Sequence, residues 1–333
     1  MNEERSALRI ETLSKWWKDR DENGNCRLPL LDLRSNAESE ESHLRLSRKS
    51  PVNANIVHIP LDEISRRNYE LPPRSLEFVV LVPGEYCLST VSKLLLGKTP
   101  SRKDKSNLRK RQPWMVQYAI LASDLSSRDI EAWMSLACKQ TYCSGRQDVR
   151  AISFVPRPRL WQPDPMVESL LLPVLQSELT QRVISDPSSH CEIWDLGAGS
   201  GRDVCFLAEQ LLARLTCPNF TVVGYDQRYR NLNTEPCRAF YNRRGLSHVT
   251  DSRKIDLTNV NEVVAELDRV VTNSNRIVIG LFAVRFWHRP LVEAIAASTS
   301  SMSSASVFAI SQFGRAFDGA SWDFEHPKVN RLL

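Results

Sequence analysis

One segment, CEIWDLGAGSGRD over residues 191–203, concentrates the residue types that could hold a charged small molecule. Ile193, Trp194 and Leu196 read as a buried strand, Asp195 stands near its end, and Gly197, Gly199 and Gly201 recur at every second position. Glycines at such a turn reach backbone conformations closed to other residues and let a ligand approach the main chain. Residues 204–212 are apolar at helical spacing, so the turn ends at a helix N-terminus whose free N–H groups favour an anion. This is the construction of a nucleotide-cofactor pocket, and carboxylates further along the chain decide which nucleotide it suits.

Stepping outward, residues 220–226 read as a second strand ending in Asp226, an acid placed to accept hydrogen bonds from ribose hydroxyls. Asp256 follows a helix-like stretch at residues 236–245 and would close the adenine end. Residues 276–282 read as a fourth strand and 305–311 as a fifth, which makes the fold class α/β with a Rossmann-like sheet. A dinucleotide site would carry G-x-G-x-x-G and seat a pyrophosphate. This chain has GAGSG, and Asp195 beside the turn would repel a pyrophosphate while suiting a sulfonium or an amino group.

With Asp195, Gly197, Gly199, Gly201 and Asp226 matching an acid, alternating glycines and a second-strand acid, the region from about residue 191 resembles the class I S-adenosylmethionine-dependent methyltransferases. The resemblance implies that the turn, Ala198 included, wraps the methionine part of S-adenosyl-L-methionine. It also implies that Asp226 holds the ribose, that Asp256 lies near the adenine amino group, and that Phe282 at the end of the fourth strand is a cofactor contact. Methyl transfer needs mainly positioning, with a base only where the acceptor must lose a proton. His288, in the stretch after the fourth strand, is the catalytic candidate because it is the imidazole there, a group able to take up and return a proton. The competing reading is that His288 and Arg289 cap a helix with Pro290 in its first turn. The family adds two strands after the fifth, yet only about twenty residues follow Gln312, so the expected sheet is truncated after its fifth strand.

Residues 1–150 are organised differently. A helical pattern covers residues 6–18, residues 28–34 form a strand ending in Asp32-Leu33-Arg34, and residues 77–82 a fully apolar strand followed by a loop. Asp32, Arg34, Glu38, His43 and the Ile59-Pro60-Leu61 step make residues 28–137 resemble a rhodanese-like domain. An active member places cysteine directly after the apolar strand; here Cys87 falls several residues late, Pro83 lacks an N–H, and Glu85 adds negative charge. The module therefore reads as inactive, with a sulfurtransferase using Cys87 as the rival. A strand at residues 114–121 and a helix at 127–139 would finish it. Residues 151–166 are a Pro-rich, extended linker that its own Trp161 would dock, with packing near the cofactor mouth as the alternative use of that ring, and 167–333 the methyltransferase domain, opened by a helix at 166–182.

Composition is that of a soluble globular protein: 333 residues, 42% hydrophobic, 25% charged, net charge +5. Residues 97–112 hold seven Lys or Arg against one Asp, so this loop alone carries +6 and the rest of the chain is nearly neutral. From Lys98 to Arg111 the loop is either a solvated face or a contact for the phosphates of RNA, without the aromatics that single-strand stacking needs. The sequence does not encode the methyl acceptor; a tRNA, motivated by the basic loop, and a small molecule are the candidates. The eight cysteines show no metal-ligand spacing. No membrane span or signal peptide is recognisable, and cytoplasm or nucleus is the expected location. A non-catalytic S-adenosylmethionine-binding or regulatory protein is the remaining alternative.

Overall fold

The computed structural model describes residues 8–19, 26–41, 56–96, 113–125, 154, 156–186, 188–215, 219–227, 236–272, 276–298 and 307–311. The basic segment 97–112, the expected helix at 127–139, His43, most of the expected linker's first third and residues 312–333 lie outside these. The chain divides into two compact units, Met1–Gln162 and Pro163–Leu333, each built on a parallel sheet.

In the first unit, β1 (Leu30–Asp32), β2 (Ile56–His58), β3 (Glu77–Val82) and β4 (Met115–Leu121) form a parallel sheet in the order β2-β1-β3-β4. Alternation along the strands serves two apolar layers, as a sheet buried on both faces requires. Leu31, Val57, Phe78, Val80 and Val82 pack with Val91 of α3 (Leu88–Val91) and with Leu95. Leu30, Ile56, Val79, Leu81 and Ile120 pack with Leu13 and Trp16 of α1 (Leu13–Lys18). A short α2 (Asn36–Glu41) follows β1.

Two sequence expectations change here. The opening helix starts at Leu13, where Thr12 Oγ1 accepts the Lys15 N–H. Ahead of it the chain pairs with β4: Ala119 N–H donates to Arg9 O (2.8 Å) and Glu11 N–H to Ala119 O (2.9 Å). Cap and sheet edge together outweigh helical spacing, because each satisfies backbone groups that a longer helix would leave at its frayed end. The strand expected over residues 28–34 contracts to Leu30–Asp32 because Arg34 folds back onto Asp32.

In the second unit the order is β7-β6-β5-β8-β9, all parallel: β5 (His190–Leu196), β6 (Phe220–Tyr225), β7 (Thr250–Arg253), β8 (Arg276–Val284) and β9 (Val307–Ser311). The intervening helices are α4 (Leu172–Ser185), α5 (Arg202–Arg214), α6 (Pro236–Arg244), α7 (Val260–Val271) and α8 (Arg289–Ser298). The order runs one way from β5 to β7 and the other from β8 to β9, so β5 and β8 frame the switch point where open α/β sheets hold ligands. Trp194, Leu196, Val223 and Leu281 share a core with Val263, Leu267, Leu291 and Ile295 of α7 and α8. The helix expected over 166–182 opens with a π turn, Val167–Leu171, just ahead of Pro173. Proline offers no N–H to the turn behind it, and the widened turn absorbs that break.

No helix among the described residues is long and apolar enough to cross a membrane. Among the same residues, no group of three or more His, Cys, Asp or Glu side chains could hold a metal ion.

Candidate functional site

At the carboxyl end of β5 the main chain turns through three left-handed glycines, Gly197 (φ 89), Gly199 (φ 56) and Gly201 (φ 75). The N–H groups of Gly197 and Ala198 both donate to Tyr225 O (2.9 and 3.1 Å), which draws the turn across the end of β6. Gly201 N–H returns to Ala198 O (2.8 Å), closing the turn before α5.

The glycines differ in what surrounds them. A Cβ on Gly197 would fall 2.9 Å from Phe286 Cβ, and one on Gly201 would collide with the Tyr241 ring. On Gly199 the nearest atom would be Gly197 O at 3.9 Å. Two glycines therefore admit neighbouring side chains, whereas Gly199 faces open space that a ligand could fill. Ala198 turns away, its Cβ lying 2.9 Å from where a Cβ on Gly224 would be.

Carboxylates surround the turn. Asp226 is buried and its Oδ2 accepts the Gly199 N–H at 3.0 Å. Asp195 is 2% exposed, and its Oδ1 has no hydrogen-bond partner among the described residues. Burial, then the fields of Asp203 and Asp226, hold the Asp195 carboxyl well above the usual carboxylate range. Burial also raises Asp203, in the first turn of α5. Asp203 Oδ1 accepts the Asp164 N–H (2.9 Å), while Asp164 accepts the Met166 N–H at Oδ1 (3.0 Å) and the Ser311 hydroxyl at Oδ2 (3.1 Å). Those three bonds bind the start of α4, the start of α5 and the end of β9 to one another.

The structure thus brings Asp195, Gly197, Ala198, Gly199, Gly201 and Asp226 together at one strand edge. Phe282 is paired with Asp195 in the sheet and is fully buried, a wall within the fold. Asp256 is exposed; its Oδ1 accepts the Thr258 hydroxyl (2.7 Å) and N–H (3.0 Å), and these bonds lower its pKa. The field of His288 adds to that lowering, so the loops after β7 and β8 lie within electrostatic reach of each other. His288 serves the helix start with its carbonyl, which accepts the Val292 N–H (3.2 Å), and Arg289 pairs with Glu293 on the surface (2.8 Å). The imidazole itself is left over: its Nδ1 is buried without a partner among the described residues.

Sequence reading passed over Asp164, Arg202, Asp203, Tyr241, Arg285 and Phe286. Arg202 and Asp203 stood inside the quoted motif and Arg285 and Phe286 in the stretch that holds His288; Asp164 and Tyr241 are distant in sequence and meet the site only through the fold.

In the first unit Cys87 is buried in the turn Glu85–Cys87. Its N–H donates to Gly84 O (3.0 Å) and that of Leu88 to Glu85 O, so neither is available to an anionic sulfur. Arg34 is buried in a two-pronged pair with Asp32, Nε to Oδ1 at 2.9 Å and Nη2 to Oδ2 at 2.7 Å. Glu38 Oε2 accepts the Ser35 N–H (2.8 Å) and Ser35 Oγ the Glu38 N–H (3.2 Å), a capping box that opens α2.

No family model matches the sequence, and no curated protein matches it. Solved structures do. Human methyltransferase 10 domain containing protein is 12% identical with a TM-score of 0.28, over 45% of this chain and 64% of that one. The apo form of CalS11, a TDP-rhamnose 3'-O-methyltransferase, is 19% identical with a TM-score of 0.28, over 44% of this chain and 70% of that one. The SpnF cyclase is 15% identical with a TM-score of 0.24, over 38% of this chain and 40% of that one. The chain spans less than two thirds of the length of the human protein and of the cyclase. At such identities and TM-scores the likeness adds no weight to any activity.

Proposed function

We propose that the second unit binds S-adenosyl-L-methionine and transfers its methyl group. What supports this is the buried Asp195 oxygen, which has no hydrogen-bond partner among the described residues, beside the open face of Gly199. A buried carboxylate without a partner is costly, and a cationic ligand is what would compensate it. When bound, S-adenosylmethionine supplies a methyl group already activated on a sulfonium. Asp195 would neutralise a cationic group of that ligand, Gly199 would give it van der Waals contact, and Gly197, Ala198 and Gly201 would keep the turn in shape. Asp226 would add ribose hydroxyls to the bond it already makes to Gly199, Asp256 would face the adenine, and Phe282 would support the turn from within. Ordering two reactants in one crevice supplies most of what methyl transfer needs. His288 would take a proton from acceptors that must lose one.

Calorimetry with S-adenosylmethionine tests this reading on wild type, Gly199→Val and Asp226→Ala. Saturable binding in wild type and its loss in the variants is expected. No binding by wild type, or wild-type affinity in both variants, overturns it. Binding without methyl transfer to any fraction of a cell extract would make the unit a non-catalytic binding protein.

For the acceptor we favour an RNA such as tRNA over a small molecule, since the segment from Lys98 to Arg111 is cationic enough to contact phosphates. RNA binding that is insensitive to salt, or turnover unchanged by deleting the segment, would favour the small molecule. The first unit we read as a rhodanese-like module without sulfur transfer, because the N–H groups at Cys87 are already spent. Cyanide-dependent thiocyanate formation abolished by Cys87→Ser would restore the sulfurtransferase. Cytoplasm or nucleus is the location this reading fits.

A further inference from the structure

We propose that a cavity in the first unit, where the basic segment 97–112 leaves and rejoins the fold, holds an unpaired nucleotide of an RNA, its base stacked on Arg74 and Trp114. The inference rests on reading that segment as an RNA contact and is independent of the methyl-transfer chemistry.

The cavity has a volume of about 350 Å³, within the range of small-molecule sites. Leu94, Leu95 and Trp114 give it apolar walls, and Ser65, Asn68 and Arg74 supply its polar groups; no acid lines it. Ser65 and Asn68 are exposed, so a hydroxyl and an amide stand at the rim, where the edge of a base would find a donor and an acceptor.

The stacking pair is held in place. Trp114 donates its main-chain N–H to Leu95 O and its indole Nε1 to Pro72 O, each at 3.0 Å. The Arg74 guanidinium carbon lies 3.7 Å over the centre of the indole ring. At that separation the two groups are in face contact, and bases stack on guanidinium planes and aromatic rings alike. Stacking uses the plane of the guanidinium, whatever its N–H groups are bonded to.

The bond from Trp114 to Leu95 also joins the chain on the two sides of residues 97–112, so the seven cations of that segment are tethered at this cavity. The segment contains no aromatic side chain. Its charge can draw in a phosphate backbone but offers no plane to a base, and proteins that hold single strands combine the two. Trp114, two residues beyond the segment, supplies the plane. A double helix keeps its base faces stacked inside, so the nucleotide that enters is an unpaired one.

The probes are a short oligouridylate and an abasic ribose-phosphate oligomer of the same length, each titrated by fluorescence anisotropy into the full chain with S-adenosylmethionine present to occupy the second unit's crevice. Wild type should bind the uridylate about fivefold or more tightly than the abasic oligomer, the size of one stacked base. Arg74→Lys keeps the charge and loses the plane. It should erase that preference while its affinity for the abasic oligomer stays within about twofold of wild type. Asn68→Asp, an exposed change that leaves the core intact, should weaken the uridylate more than the abasic oligomer. Equal binding of the two oligomers by wild type, or an undiminished preference in Arg74→Lys, overturns the proposal. Base-dependent binding without methyl transfer to any RNA keeps the cavity and removes RNA as the acceptor. Methyl transfer to RNA without base preference removes the cavity and keeps the acceptor.

Discussion

The main-chain N–H of Gly199 donates to Asp226 Oδ2 across 3.0 Å, joining the turn after β5 to the residue that ends β6. One carboxylate thereby holds the turn's open glycine in place before any ribose arrives. Asp226→Ala should destabilise the protein by about 1–3 kcal/mol, the cost of leaving a buried donor without its charged acceptor. Asp226→Asn keeps an acceptor and should lose about half as much. Urea denaturation of the three proteins measures both.

Gly201→Ala and Gly199→Ala should separate by site. Both place a side chain at positive φ, costing about 1–2 kcal/mol. At Gly201 the methyl also meets Tyr241, so that variant should lose more stability, and Tyr241→Phe should recover part of the difference. At Gly199 the methyl enters the crevice, and the larger loss should be in S-adenosylmethionine affinity.

Asp195 gives a pH signature. Its carboxyl pKa is higher in the folded than in the unfolded chain, so the folded state binds the proton more tightly. Stability contributed by this group is full below the unfolded pKa of about 4 and declines as pH rises through the folded value. Asp195→Asn should therefore be more stable than wild type at neutral pH, by roughly 1–3 kcal/mol, with the gain vanishing below pH about 4. Thermal melts across that range, in the absence of ligand, read the difference. The same variant should lose S-adenosylmethionine binding.

Glu192 carries a buried network on the same strand. It is fully buried and accepts from Trp194 Nε1 (2.8 Å), Arg276 Nη1 (2.9 Å) and Arg253 Nη2 (3.2 Å). Glu192→Ala takes the acceptor from the buried Trp194 N–H and from Arg276, while Arg253 keeps Asp251 and Glu266, and should cost about 1–3 kcal/mol. Glu192→Gln should cost less, because the indole keeps its partner. Chemical denaturation followed by tryptophan fluorescence checks the order.

Most strands of both sheets were readable because runs such as Phe78–Val82 and Ile277–Phe282 are apolar throughout and bounded by turn residues, whereas the short, polar Thr250–Arg253 offered no such run. The glycine turn and its two nearest acids were readable for a similar reason: their roles are set within one strand-turn-helix unit and the next strand. What escaped is non-local or conformational. Helical spacing at the N-terminus could not reveal that residues 9–11 would pair with Ala119. Asp203 and Asp164 meet across a long stretch of chain. Arg285 gave no hint of its left-handed backbone, because glycine is the residue that advertises one. Asp256 held the expected place after β7, yet Thr258, two residues on, occupies one of its oxygens.

The strand order β7-β6-β5-β8-β9 also has a history in time. A ribosome delivers β5, β6 and β7 well before β8, so a three-stranded nascent sheet can form with one side of β5 unpaired. That side is a hydrogen-bonding template open to any extended chain until Arg276–Val284 arrives to cap it. Parallel pairing across so long a delay is slow, and during it the glycine turn is built on only one of its two flanking strands. The element that finishes the crevice is thus also the one that shields the newborn chain from self-association.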